Sequence, residues 1–216
     1  MALNKAELAR LYGKRARRYD VCANLYYLLG FRELAYRKKA VRALDLEPGA
    51  VVVEIGCGTG LNFGLLRQAV GSEGRIIGVD VTEEMLDKAA ARIAQNHWSN
   101  IELVKSDAAA YEFPKGVGGI LSTFAITLMP EYDKIIKNGA GALSAGKKFV
   151  ILDFKKSDTW PLWLINFFVL VTKPFGVSLD LAERHPWESM ERYLTHVQMD
   201  ELYFGGVYLC VGEVPS

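Results

Sequence analysis

Three acids stand at or just past the ends of three strand-like runs. Glu54 follows Val51-Val52-Val53, Asp80 closes Arg75-Ile76-Ile77-Gly78-Val79, and Asp107 comes after Ile101-Glu102-Leu103-Val104-Lys105-Ser106. After Glu54 the chain places Gly at every second position, Gly56, Gly58 and Gly60, and a helical pattern starts near Leu61. A strand feeding a Gly loop and then a helix is the layout of a nucleotide-binding turn. The spacing selects among nucleotides. A dinucleotide fingerprint needs Gly or Ala three residues after the second Gly, where this chain has Leu61, and no Gly-Lys-Ser/Thr follows to make a phosphate loop. A phosphate against the helix start would also meet the like charge of Glu54. A ligand with positive charge and no phosphate fits instead. S-adenosyl-L-methionine, with an ammonium, a sulfonium and an adenosine, is such a ligand.

The other two acids suit the adenosine. Asp80 lies twenty residues beyond Gly60, the usual offset for an acid that accepts from both ribose hydroxyls. Asp107 can accept from the adenine amino group, Ala108 leaves room for the ring, and Met85 can pack on its face. The competing reading is that Asp80 and Asp107 only cap loops. His185 is a candidate general base, because an imidazole titrates near neutrality. Its competing reading is a structural hydrogen-bonder in the loop before Pro186. His97 and His196 have weaker claims, and the three scattered cysteines, Cys22, Cys57 and Cys210, offer no metal framework.

The elements that must position these residues alternate. Helical spacing predicts helices over 3–18 and 21–44, the second interrupted near Gly30. Pro48-Gly49 predicts a turn before the first strand. Further helices are expected over 61–70, 82–96, 131–143 and around 187–195, with Thr82 as an N-cap. Strands are expected at 51–55, 75–80, 101–105, 117–123 and 147–153, with two closing strands near 197–204 and 207–213. Strands alternating with helices imply a parallel sheet covered on both faces, with the ligand at the strands' C-terminal ends.

Glu54-Ile55-Gly56-Cys57-Gly58-Thr59-Gly60, Val79-Asp80 and Ser106-Asp107-Ala108 resemble, in order and spacing, the class I S-adenosylmethionine-dependent methyltransferases. Within that class the chain looks most like the ubiquinone/menaquinone-biosynthesis methyltransferases and phospholipid N-methyltransferases. The resemblance implies an α/β, Rossmann-like, seven-stranded, mostly parallel sheet closed by an antiparallel hairpin. It implies one domain over 1–216: a helical N-terminal lid (1–45), a cofactor-binding core (46–155), a substrate-covering insert (156–196) and a closing hairpin (197–216). The cofactor set it implies is Tyr12, Glu54, Gly56, Cys57, Gly58, Gly60, Asp80, Val81, Met85, Ser106, Asp107, Ala108, Thr123 and Phe124. Tyr12-Gly13-Lys14-Arg15-Ala16-Arg17-Arg18-Tyr19-Asp20 looks like the family's entry segment, with Tyr19 beside His185 as the catalytic candidates. The run after the fourth strand, Phe124-Ala125-Ile126-Thr127-Leu128-Met129, departs from the quinone-acting members in carrying no Arg or Asn.

The acceptor is read from less explicit features. Residues 1–45 hold eleven Lys/Arg against four Asp/Glu, a net of +7, while the remainder carries −6. Such a basic arm suits a lid or an anionic membrane surface. From Trp160 to Pro174 runs an aromatic, apolar insert too short to span a bilayer, which needs about 20 residues. Both features favour a lipid-like or aromatic, quinone-like small molecule, methylated on C, N or O. A non-catalytic cofactor-binding module is the alternative from another class. The near-neutral charge of the whole chain argues against a nucleic-acid partner. Odd, separated cysteines suit a reducing compartment, and the polar N-terminus carries no apolar leader, so a cytoplasmic protein is expected, with peripheral membrane contact as an option. The oligomeric state is left open.

Overall fold

The computed structural model describes residues 30–157, 159–161, 163, 165, 181 and 183–215. Five helices and seven strands are described here: α1 (Glu33–Ala43), β1 (Val51–Ile55), α2 (Phe63–Val70), β2 (Arg75–Asp80), α3 (Glu83–Gln95), β3 (Ile101–Lys105), β4 (Val117–Thr123), α4 (Tyr132–Ala142), β5 (Leu143–Phe154), α5 (Pro186–Tyr193), β6 (Thr195–Leu202) and β7 (Val207–Glu213). Short 3₁₀ turns cover Ile126–Leu128 and Tyr203–Gly205.

The seven strands form one sheet in the order β3-β2-β1-β4-β5-β7-β6. β1 pairs in parallel with β2 and β4, β2 with β3, and β4 with β5. β7 runs antiparallel to both β5 and β6, which makes the closing hairpin. The strand order reverses between β1 and β4, so their carboxyl ends open a crevice at the place where α/β sheets hold ligands. β4 lies at the middle of the sheet and is buried along its whole length.

Alternation along β1 divides the core. Val53 and Ile55 face a cluster that includes Ile135 and Ile136 of α4 and Met190 of α5. Val52 faces the opposite cluster with Ala40 and Val41 of α1, Phe63 and Leu66 of α2, and Leu86 and Ala89 of α3. Glu54 shares the parity of Val52 and therefore points toward α1 and α2. On α1 the buried positions are Glu33, Arg37, Ala40 and Val41, a stripe at helical spacing in which two members are charged.

The structure differs from the sequence expectations at element ends. β5 begins at Leu143 rather than at residue 147, because a register shift between Val117 and Gly119, with Gly146 at φ +69°, lets the strand start early. α5 begins at Pro186, whose fixed φ and missing N–H suit a helix start, and β6 starts at Thr195. Thr82 occupies the N-cap position of α3 but makes no side-chain cap bond. The Thr82 N–H, for its part, donates to the Asp80 carboxylate at 2.8 Å. Among the described residues, no helix is long and apolar enough to cross a membrane.

Candidate functional site

The carboxyl ends of β1, β2 and β4 and the turn after β3 line a cleft that is open to solvent on one side. Its floor is the Gly loop. Gly56 and Gly58 adopt φ of +67° and +53°. A Cβ on Gly56 would sit 2.4 Å from the Cβ of Ala125, so only Gly lets the loop pass the turn after β4. Asp80 anchors the loop: its two carboxylate oxygens accept from Gly58 N at 2.9 Å and Thr82 N at 2.8 Å. The Thr82 hydroxyl and the Val81 N–H also bear on this carboxylate. Burial raises the Asp80 pKa, and those backbone N–H groups oppose the rise.

The wall beside Asp80 carries Val81, 48% exposed, and the buried Met85. Across from them lie Ser106, Asp107 and Ala108. The Asp107 carboxylate accepts from Ala109 N at 3.0 Å, which turns the chain sharply after β3. Cys57 also lines the cleft; it is buried, and desolvation pushes its thiol well above the ordinary range, so it is inert there. Thr123 and Phe124 form the end wall at β4. Phe124 holds a left-handed φ of +54°, with its N–H fixed on the Leu152 carbonyl at 2.7 Å. Its ring packs 4.9 Å from Phe154 and 5.7 Å from Phe31. Phe31 in turn meets Tyr203 at 5.3 Å, so an aromatic track leads from the cleft toward the surface.

Behind the end wall lies a buried polar network. Asn62, fully buried, donates through Nδ2 to Glu54 Oε1 at 2.6 Å and to Thr123 Oγ1 at 2.9 Å. Arg37 donates through Nη1 to Thr123 Oγ1 at 2.6 Å and to Asn62 Oδ1 at 3.2 Å, and through Nε to Glu33 at 2.8 Å. Glu54 is 1% exposed, and its Oε2 has no hydrogen-bond partner among the described residues. Burial is the largest influence on it and raises its pKa to about 7, against the lowering effects of Asn62 and Arg37. An orphaned buried carboxylate oxygen is costly, and its charge acts on the cleft from behind the wall, through Asn62 and Thr123.

Most residues expected from sequence meet at this cleft: Gly56, Cys57, Gly58, Asp80, Val81, Met85, Ser106, Asp107, Ala108, Thr123 and Phe124. Three expectations need correction in position. Glu54 lies behind the wall and connects to the cleft through Asn62 and Thr123. Gly60 does not line the cleft either; a Cβ there would strike the buried Phe63 ring at 2.5 Å, so its smallness serves core packing. His185 is not on the cleft wall. Its Nδ1 faces Glu188 at 2.9 Å and its ring lies 4.7 Å from Trp187, the setting of a helix start rather than of a base. Tyr12 and Tyr19, with the whole entry segment, lie outside the described residues, as does most of the aromatic insert.

Two buried charged residues, one lining the cleft and one bracing the turn beside it, were not singled out from sequence. Arg37 enters the sequence reading only in the charge count of the basic arm, although Glu33, Arg37, Ala40 and Val41 share one buried stripe. Asp153, 2% exposed at the end of β5, accepts from Thr127 N at 2.9 Å and Phe154 N at 2.8 Å, tying the turn after β4 to β5; burial raises its pKa to about 6. The signal that found the other acids, a carboxylate at a strand end, marks Asp153 too.

The sequence pattern of the ubiE/COQ5 methyltransferase family matches residues 1–175. A demethylmenaquinone methyltransferase of Bacillus cereus is 25% identical over 144 residues, 66% of this chain and 60% of its own length. A 2-phytyl-1,4-naphtoquinone methyltransferase of Thermosynechococcus vestitus is 28% identical over 167 residues, 74% of this chain and 72% of its own. The chain therefore spans well under the full length of these relatives. Among solved structures, a SAM-dependent methyltransferase from Aquifex aeolicus superposes with a TM-score of 0.60 at 20% identity, covering 82% of this chain and 89% of that one. That likeness supports the fold.

Proposed function

The chain belongs to the ubiE/COQ5 methyltransferase family, and from that premise we propose that it transfers a methyl group from S-adenosyl-L-methionine to a small apolar or amphipathic acceptor of aromatic, quinone-like character, leaving S-adenosyl-L-homocysteine. The observation that carries the reading is the charge of the cleft. Asp80 and Asp107 line one face, and the orphaned Glu54 oxygen lies behind the other. That arrangement accepts a cation with an adenosine and opposes a phosphate.

Each residue then has a task. Asp80, already held by the Gly58 and Thr82 N–H groups, accepts from the ribose hydroxyls. Asp107 accepts from the adenine amino group while Met85 and Ala108 flank the ring. Gly56 allows close approach of backbone, and Thr123 and Phe124 face the methyl end. When bound, the donor would supply a methyl already activated on a sulfonium, open to the acceptor's electron pair. The chain's contribution is alignment and dehydration, which need no general base. His185 therefore has no required role, and Tyr19 lies outside the described residues.

The relatives' named acceptors are demethylmenaquinone and a phytyl naphthoquinone. The aromatic track from Phe124 through Phe31 to Tyr203 suits the same chemistry in this chain. Exposed Phe204 and Trp163, with the basic arm, suit a protein that takes its acceptor from a membrane surface. The test is a panel with labelled methyl donor: a reduced naphthoquinone bearing an isoprenoid tail, phosphatidylethanolamine vesicles, and small polar amines, each with and without detergent. Gain of one methyl by the quinol, increased by detergent or liposomes, is expected. Turnover of a small polar amine alone, indifferent to lipid, would overturn the acceptor class. Methylation of phosphatidylethanolamine alone would move it to the phospholipid enzymes.

A further inference from the structure

We propose that Arg37 binds the carboxylate of the donor's methionine moiety, so that the cleft recognises a zwitterionic amino acid and not merely a cationic nucleoside. This rests on the donor reading above and adds a residue to it. Among the described residues lining the cleft, Arg37 is the one cation. It is 6% exposed and stands at the end wall, its Cζ 5.2 Å from the centre of the Phe124 ring. A buried charge is retained only where it is paired and hydrogen-bonded. Arg37 has part of that: Nε is taken by Glu33 and Nη1 by Thr123 and Asn62. A guanidinium carries five N–H donors, and these bonds leave the two on Nη2 without an acceptor among the described residues.

The second observation lies on the other side of Asn62. One face of this amide donates to Glu54, the other accepts from Arg37. The network thus joins, through a single amide, a guanidinium that lines the cleft and a carboxyl group buried behind it. An α-amino acid is the complement, with ammonium and carboxylate on one carbon. Without Arg37 the cleft would be uniformly acidic and would repel that carboxylate. The planar fork of Arg, clamped by Glu33 one helical turn back, suits a carboxylate better than a Lys ammonium would.

Three ligands separate this role from a structural one. S-adenosylhomocysteine carries the carboxylate, its decarboxylated analogue lacks only that group, and 5′-methylthioadenosine lacks the whole amino acid. Titrated into the wild-type protein by calorimetry, S-adenosylhomocysteine should bind at least tenfold more tightly than its decarboxylated analogue. Arg37→Gln should weaken S-adenosylhomocysteine ten- to a hundredfold, the worth of a charge-assisted hydrogen bond, and leave 5′-methylthioadenosine within about twofold. Arg37→Lys should fall between. Equal losses for S-adenosylhomocysteine and 5′-methylthioadenosine in Arg37→Gln would overturn the proposal in favour of a structural role. If the variant does not fold, the wild-type comparison decides alone: equal affinity for the two homocysteine ligands contradicts the assignment. Failure of the wild-type protein to bind any of the three would sink the donor reading, and this one with it.

Discussion

At the residue scale, Glu54 concentrates the tension in the site. Its carboxyl is buried, one oxygen has no donor, and its pKa rises from 4.5 to about 7. A folded-state pKa above the unfolded value means that the native protein holds the proton between those limits. Free protein should therefore lose stability as pH rises from about 4.5 to about 7, with the full penalty, on the order of 3 kcal/mol, above that window. Urea unfolding at pH 5 and pH 8 should show this loss in the wild type and a much smaller one in Glu54→Gln. Asp153, raised in the same direction, accounts for what remains. Equal slopes in the two proteins would show that Glu54 is not the strained group. The acids were legible in sequence because a carboxylate ending a β-branched run has few other reasons to be there. Arg37 was not, because it sits among Lys38, Lys39 and Arg42, and only the tertiary fold decides which of them turns inward.

At the scale of elements, the alternate glycines do two different jobs that the sequence pattern alone does not separate. Gly56 lets the loop pass Ala125 at the cleft, whereas Gly60 makes room for Phe63 in the core. Both have positive φ, so an Ala at either carries backbone strain of about 1–3 kcal/mol besides the clash. Gly60→Ala should lower the urea midpoint clearly and leave ligand affinity within a few-fold in the protein that remains folded. Gly56→Ala should reduce S-adenosylhomocysteine binding more than tenfold at a similar cost in stability. The reverse ranking would mean that the loop's roles have been assigned the wrong way round. Strands β1 to β4 were legible because their apolar runs are short and punctuated. The early start of β5 was not, because it depends on a register shift against Val117, which is a property of the pair and not of either strand. Thr82 holds the N-cap position of α3 as its type suggests, but its hydroxyl makes no cap bond, and the sequence does not show that Asp80, from the preceding strand, holds the Thr82 N–H.

At the scale of the whole molecule, the sheet order places β1 and β4 side by side at the reversal point, and the expected cofactor residues among those described, apart from Glu54 and Gly60, line that crevice. Chain order and sheet order thus convert acids far apart in sequence into one acidic cleft, which explains why the donor side was readable from motifs. The acceptor side was not, because it depends on segments whose composition is apolar and aromatic without a spacing that names a ligand. The central claim is that this crevice holds S-adenosyl-L-methionine with its adenosine toward β2 and β3 and its amino acid toward β4. A crystal structure of the full chain with S-adenosylhomocysteine tests it most directly. The expected result places the ribose hydroxyls on Asp80, the adenine between Met85 and Ala108 with its amino group at Asp107, and the amino-acid end at Thr123 and Arg37. A ligand lying in the reverse direction, or bound away from the Gly56–Gly58 loop, would contradict the account.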